Sequence, residues 1–180
     1  MIARAFRGLA AATVLVVAVS SAAQAQKMAS MSKFGLSAGI ALPMGDFGDV
    51  LDLGFDVGGH WQTGLGEKVM LRINADISRY GLNGVDGSAM LLGGMANIVL
   101  PLHTQSAFKP YLLGGVGIYN TKIDITGLGN ASSSDLAINV GAGYDFMMGS
   151  KKLFTEIRYV SIQTDGSSLT TLPIVIGIRF

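Results

Sequence analysis

The chain has 180 residues, 49% of them hydrophobic, with a mean hydropathy of +0.47 and only 14% charged residues. Ordinary soluble proteins carry about 25% charged residues and disordered segments are more polar still, so this balance excludes disorder and disfavours an ordinary soluble domain. The formal net charge is +1 and Cys is absent, so nothing recruits nucleic acid and no disulfide framework or lipid-bearing Cys is available.

The first predicted element is a leader. Arg4 and Arg7 form a positive start, residues 9–19 an apolar run, and Ala23-Gln24-Ala25 an A-x-A cleavage site. The pattern predicts a signal peptide over residues 1–25, cut before Gln26, with one domain over residues 26–180. Losing Arg4 and Arg7 leaves 11 basic against 12 acidic residues, a net charge of −1. Past the leader, no run of about 18 uninterrupted apolar residues offers a spanning helix.

Period-two alternation, the signature of a strand with two unlike faces, then recurs eight times. Residues 34–42 set Phe34, Leu36, Ala38, Ile40 and Leu42 against Gly35, Ser37, Gly39 and Ala41. Residues 53–62 set Phe55, Val57, Gly59 and Trp61 against Asp56, Gly58, His60 and Gln62. Residues 69–78 are the cleanest, with Val69, Leu71, Ile73, Ala75 and Ile77 opposing Arg72, Asn74, Asp76 and Ser78.

Residues 89–100 are apolar on both faces, with Asn97 the main polar marker. Residues 109–119 leave the facing open, because Leu112, Val116 and Ile118 oppose Tyr111, Leu113, Gly115, Gly117 and Tyr119. In residues 136–146, Leu136, Ile138, Val140, Ala142, Tyr144 and Phe146 oppose Asn139, Gly141, Gly143 and Asp145. In residues 153–160, Leu153, Thr155, Ile157 and Tyr159 oppose Phe154, Glu156, Arg158 and Val160. The last strand, residues 172–180, carries an apolar stripe of Leu172, Ile174, Ile176, Ile178 and Phe180.

The connections alternate. Longer loops are expected at residues 43–52, 81–88, 120–135 and 163–170, and tighter turns at 63–68, 101–108 and 147–151. Outer-membrane barrels have long outside loops and short periplasmic turns. Phe34, Trp61, Tyr144, Phe146 and Phe180 all fall at the short-turn ends of apolar faces, where an interfacial girdle belongs. A ten-residue strand at about 3.3 Å per residue and about 45° tilt rises about 23 Å, close to the apolar band of such barrels. The expected fold is all-β: an eight-stranded antiparallel up-and-down transmembrane β-barrel.

The leader, the Lys109-Pro110-Tyr111-Leu112 opening of the Gly-rich fifth strand and the Ile178-Arg179-Phe180 ending resemble those of the small eight-stranded outer-membrane barrels, the group around the OmpA membrane domain, OmpX and OmpW. The resemblance covers essentially residues 26–180. It implies residence in the outer membrane of a Gram-negative bacterium, with lipid and lipopolysaccharide as surroundings. It also implies that Phe180 forms a C-terminal signal for the outer-membrane assembly machinery.

The faces opposite the apolar stripes collect Asp56, His60, Arg72, Asp76, Asp145, Glu156, Arg158 and Arg179. They could form a polar conduit, but eight strands enclose only enough room for their own side chains, so ions inside must pair with one another. The expectation is a structural lumenal ion-pair network. His60 and His103 are the only histidines, and neither shares a barrel rim with a Ser as nucleophilic catalysis would need. Asp46, Asp49 and Asp52 lack EF-hand spacing, so a solvated or lipopolysaccharide-facing loop is expected rather than a calcium site. The reading is a monomer without enzyme activity, cofactor or metal, mainly a structural membrane module. Its alternatives are a narrow barrel passing small or apolar solutes, and a soluble lipocalin-like barrel with the two faces reversed.

Overall fold

The computed structural model describes residues 33–66, 68–102, 107–127, 129–164 and 167–180. The expected leader and His103 lie outside the described residues. The described strands, in chain order, are β1 (Lys33–Met44), β2 (Gly54–Gly64), β3 (Met70–Gly81), β4 (Gly87–Pro101), β5 (Lys109–Ile125), β6 (Gly129–Met148), β7 (Lys151–Thr164) and β8 (Ser167–Arg179). One short helix, α1 (Asp46–Val50), follows β1. Every sequential pair is antiparallel and β8 closes onto β1, so the barrel has no free edge.

The register fixes the tilt. A row starting at Lys33 runs through Gln62, Arg72, Asn97, Gly115, Asn139, Val160 and Thr171, then re-enters β1 at Pro43. It closes ten residues beyond its start, and a closed sheet can absorb that stagger only by inclining its strands. With about 4.8 Å between strands and about 3.3 Å per residue, the inclination is about 40°.

The apolar stripes face outward. Leu36, Val57, Ile77, Leu92, Val116, Val140 and Ile176 stand exposed around the wall, while the intervening residues fill the lumen. A soluble lipocalin-like barrel would present the opposite arrangement. Here Arg72, Asp76, Glu156 and Arg158 are all buried inside, and an exposed aliphatic wall is stable in lipid rather than water. No described helix is long and apolar enough to cross a membrane.

At the end bearing Lys33 and Phe180, Phe34 and Phe180 are exposed on the outer surface, with Trp61 half-buried. Phe108, Tyr144 and Phe146 form an outward aromatic cluster at the same end, with ring centroids 5.6 to 6.3 Å apart. The β4–β5 turn thus adds Phe108 to the expected girdle.

The loop pattern differs from expectation. Residues 120–135 were expected as a long loop, yet β5 and β6 stay paired from Asn120↔Ser134 to Ile125↔Gly129. Residues 163–170 likewise pair from Gln163↔Ser168 to Thr164↔Ser167, and residues 81–88 narrow to the connection between Gly81 and Gly87. The turn-forming Ser, Asn and Gly residues here satisfy their backbone by ladder pairing. Two-sided polarity is no obstacle where strands rise past the apolar band. The β1–β2 connection alone keeps a long irregular path at this far end among the described residues, and it contains α1.

Candidate functional site

The lumen is built in layers. At the far end, Ala41, Ala89, Leu91, Met95, Ala137, Val160 and Ile162 point inward and form an apolar layer with Tyr80 and Tyr119. Phe47 and Leu51 close it from above: Phe47 projects from α1 and meets Tyr80 edge-on at 5.8 Å, and Leu51 follows the helix in a β-bridge to Leu82. Backbone bonds stitch this segment to the end of β3, with Asp52 N–H donating to Gly81 O at 3.0 Å and Asn83 N–H to Val50 O at 2.9 Å. The Gly45 backbone, at φ 62°, supplies the left-handed turn that folds the helix back over the mouth.

Below that layer lies a polar one. Ser78 Oγ donates to Asp56 Oδ2 at 2.7 Å, and Tyr119 OH donates to Asp76 Oδ2 at 2.5 Å. Arg158 lies between the two carboxylates, 3.2 Å from Asp76 Oδ1 and 3.8 Å from Asp56 Oδ1. Asn97 donates to Asn74 at 2.6 Å, and Asn74 to Asp76 at 2.8 Å. The Nε of Arg158 also approaches Glu156 Oε1 at 3.5 Å, joining this group to the next.

Glu156 is the hub of that next group. Its Oε2 accepts from Arg72 at 2.5 Å and from Tyr111 OH at 2.7 Å, while Arg72 Nε donates to Gln62 at 3.2 Å. Towards the Phe180 end, Arg179 donates to Tyr111 OH at 3.2 Å, pairs with Asp145, and stacks its guanidinium over Phe154 at 4.5 Å. Lys152 completes the series, 2.8 Å from the other oxygen of Asp145. The four inward carboxylates Asp56, Asp76, Asp145 and Glu156 thus meet Arg72, Arg158, Arg179 and Lys152. Ions held inside a low-dielectric wall persist only when matched in this way.

All eight residues singled out in the sequence are buried in this lumen, and seven of them are linked by ion pairs. The eighth, His60, accepts a hydrogen bond from Arg179 Nε at 3.3 Å and packs edge-on against Phe154 at 5.2 Å. Absent from that set were Lys152, Gln62, Asn74, Asn97 and the tyrosines Tyr80, Tyr111 and Tyr119. Tyrosine read as apolar hid its hydroxyl, although inward parity with a carboxylate on a neighbouring strand was an available signal. Asn139 stands apart: it is buried, and neither of its amide atoms has a partner among the described residues.

Little space remains. A gap of about 10 Å³, room for about one water, lies beside Arg72, Asn74, Glu156 and Phe154. Among the described residues no group of three or more His, Cys, Asp or Glu side chains is placed to hold a metal ion.

Comparison with known proteins agrees with this arrangement. The family model described as "Outer membrane protein beta-barrel domain" matches residues 9–180, and the chain belongs to that family. The sequence matches no curated protein. Among solved structures, Neisserial surface protein A is similar at 19% identity and TM-score 0.65, over 82% of this chain and 95% of that one. Ail, the attachment invasion locus protein of Yersinia pestis, is similar at 18% identity and TM-score 0.53, over 83% and 99%. The N-terminal β-barrel domain of Pseudomonas aeruginosa OprF is similar at 15% identity and TM-score 0.51, over 82% and 97%. At such identities the likeness is one of fold.

Proposed function

We propose that this outer-membrane barrel is a closed, non-conducting and non-enzymatic structural module that displays its far end at the cell surface. The observation that carries the reading is the filled lumen. An ion has no continuous aqueous path past the α1 cap, the apolar layer under it and the paired charges below. Opening one would expose Asp56, Asp76 and Glu156 without their cations, at several kcal/mol per broken pair.

The absence of catalysis rests on the same geometry. His60 is buried, its Nε2 accepts from Arg179, and its ring is packed on Phe154, so it lacks the exposed nucleophile partner that hydrolysis needs. In this reading residues 1–25 are the cleaved export signal, the mature chain is a monomer in lipid and lipopolysaccharide, and Phe180 addresses it to the assembly machinery.

Conductance in planar bilayers tests the reading. Purified, refolded protein should give no steady current. Steady ion currents would overturn the structural role and establish the alternative, a narrow barrel that passes small solutes.

A further inference from the structure

The outer wall carries a charge pattern that the lumen does not explain. Arg79, Met90 and Lys122 occupy one row on β3, β4 and β5, all exposed and facing away from the lumen. Beneath them the same face is aliphatic, with Ile77, Leu92 and Ile118 exposed to lipid. Ten residues separate Val69, at the Phe180 end of the wall, from Arg79. At about 3.3 Å each and about 40° tilt this spans about 25 Å, the height of the apolar band. Arg79 therefore lies where the far leaflet's hydrocarbon meets its headgroups. Because each row climbs around the barrel, Lys122 stands about 6 Å higher and, two strands away, about 10 Å from Arg79.

Two other polar side chains near this level bond to their neighbours. Asn120 donates to Ser134 Oγ at 2.9 Å and Ser133 O at 3.0 Å, and Gln163 donates to Ser161 at 2.9 Å. Arg79 and Lys122 have neither a hydrogen bond nor an ion pair among the described residues. The nearby carboxylates lie on the loop side: Asp124 is one step up β5 from Lys122, and Asp52 sits beside Gly81, one step above Arg79. On each strand the cation sits nearer the hydrocarbon than the neighbouring acid does. A cation at this boundary without a protein partner suits an anion supplied by the leaflet itself.

We infer that Arg79 and Lys122 form a binding site for the phosphorylated headgroup of an outer-leaflet lipopolysaccharide, whose acyl chains lie down the wall over Met90, Ile77 and Leu92. The inference rests on the outer-membrane reading above, but not on a closed lumen. The Arg79 fork can grip two phosphate oxygens, and Lys122 can meet a second anionic group on the same headgroup.

The test is retention of purified lipopolysaccharide by the full-length mature barrel after detergent exchange, measured per mole of protein. R79A/K122A should retain several-fold less than the unaltered protein, and R79K/K122R should recover most of the loss. K109A, an exposed lysine at the Phe180 end, should retain as much as the unaltered protein. Heat-dependent gel migration confirms that each variant is folded. Equal retention by folded R79A/K122A would overturn the site. So would an equal, charge-dependent retention of phosphatidylglycerol, which would make the pair a general anion rim. Steady bilayer currents with normal lipopolysaccharide retention would instead overturn the closed-lumen function and leave this site standing.

Discussion

Tyr119 lies directly across the β4–β5 ladder from Gly93, and its ring occupies the space that a Cβ on Gly93 would fill. The same relation holds for Tyr111 and Gly143, Phe154 and Gly177, and His60 and Gly35, each a directly registered pair. These four glycines are seats for rings. The rings then deliver their polar atoms to the middle of the lumen: Tyr119 OH to Asp76, and Tyr111 OH to Glu156.

Gly93→Ala tests that relation. The new methyl meets the ring carbons of Tyr119, which cannot retreat without giving up its bond to Asp76. Overpacking of this kind costs about 1–3 kcal/mol. Gly94→Ala, one residue along and facing open space outside, should change stability by less than about 0.5 kcal/mol. Urea unfolding of both variants in lipid vesicles makes the comparison. Equal stability of the two would mean that the ring does not depend on the glycine.

The ion pairs should behave as matched sets. Arg72→Met leaves Glu156 buried with Tyr111 and a distant Arg158, which should cost about 3–5 kcal/mol. Adding Glu156→Gln removes the stranded charge, so the double variant should recover a large part of that loss. If the double variant is as unstable as the sum of the singles, measured by the same unfolding assay, the pair is not coupled as the 2.5 Å contact implies.

Much of this was legible because lipid imposes a simple demand. On β3, β6 and β8 the outer face must be apolar and the inner one need not be, so alternation alone assigned Ile73, Val140 and Ile176 to one side and Arg72, Asn139 and Arg179 to the other. On β5 that contrast fails, since both faces are apolar and Gly-rich. There the side is decided by Tyr111 and Tyr119, whose hydroxyls need Glu156 and Asp76, and those partners come from strands that only register brings near. The α1 cap was missed for a different reason. Asp46, Asp49 and Asp52 made the segment look like a solvated loop, although it carries the apolar Phe47 and Leu51 that close the lumen.

The wall and the lumen should respond oppositely to charge. Ile176 is exposed to lipid at the centre of the apolar stripe from Leu172 to Phe180, so Ile176→Arg should cost about 2–4 kcal/mol. Val175→Thr, the adjacent inward position, keeps its volume and adds one hydroxyl beside polar neighbours, and should cost less. Refolding yield and unfolding midpoint in vesicles report both. A greater loss for Val175→Thr would reverse the assignment of faces.

Deleting Phe180 tests the proposed delivery role apart from folding. Phe180 is exposed on the outer wall, and its N–H donates to Phe34 O at 2.9 Å, the last rung of the β1–β8 seam. Its loss removes one rung and one interfacial ring, while the ladder from Gly35↔Arg179 to Met44↔Thr170 stays intact. Deleting Phe180 should therefore lower stability by only about 1–2 kcal/mol, and the purified chain should refold in detergent with its usual heat-dependent gel shift. On the delivery role proposed above for Phe180, the effect in cells should be larger. Outer-membrane levels of the truncated chain should fall several-fold while its refolding in vitro stays near normal. Equal cellular levels of the two chains would make Phe180 an ordinary seam residue. Failure to refold in vitro would place its role in the barrel itself and not in delivery.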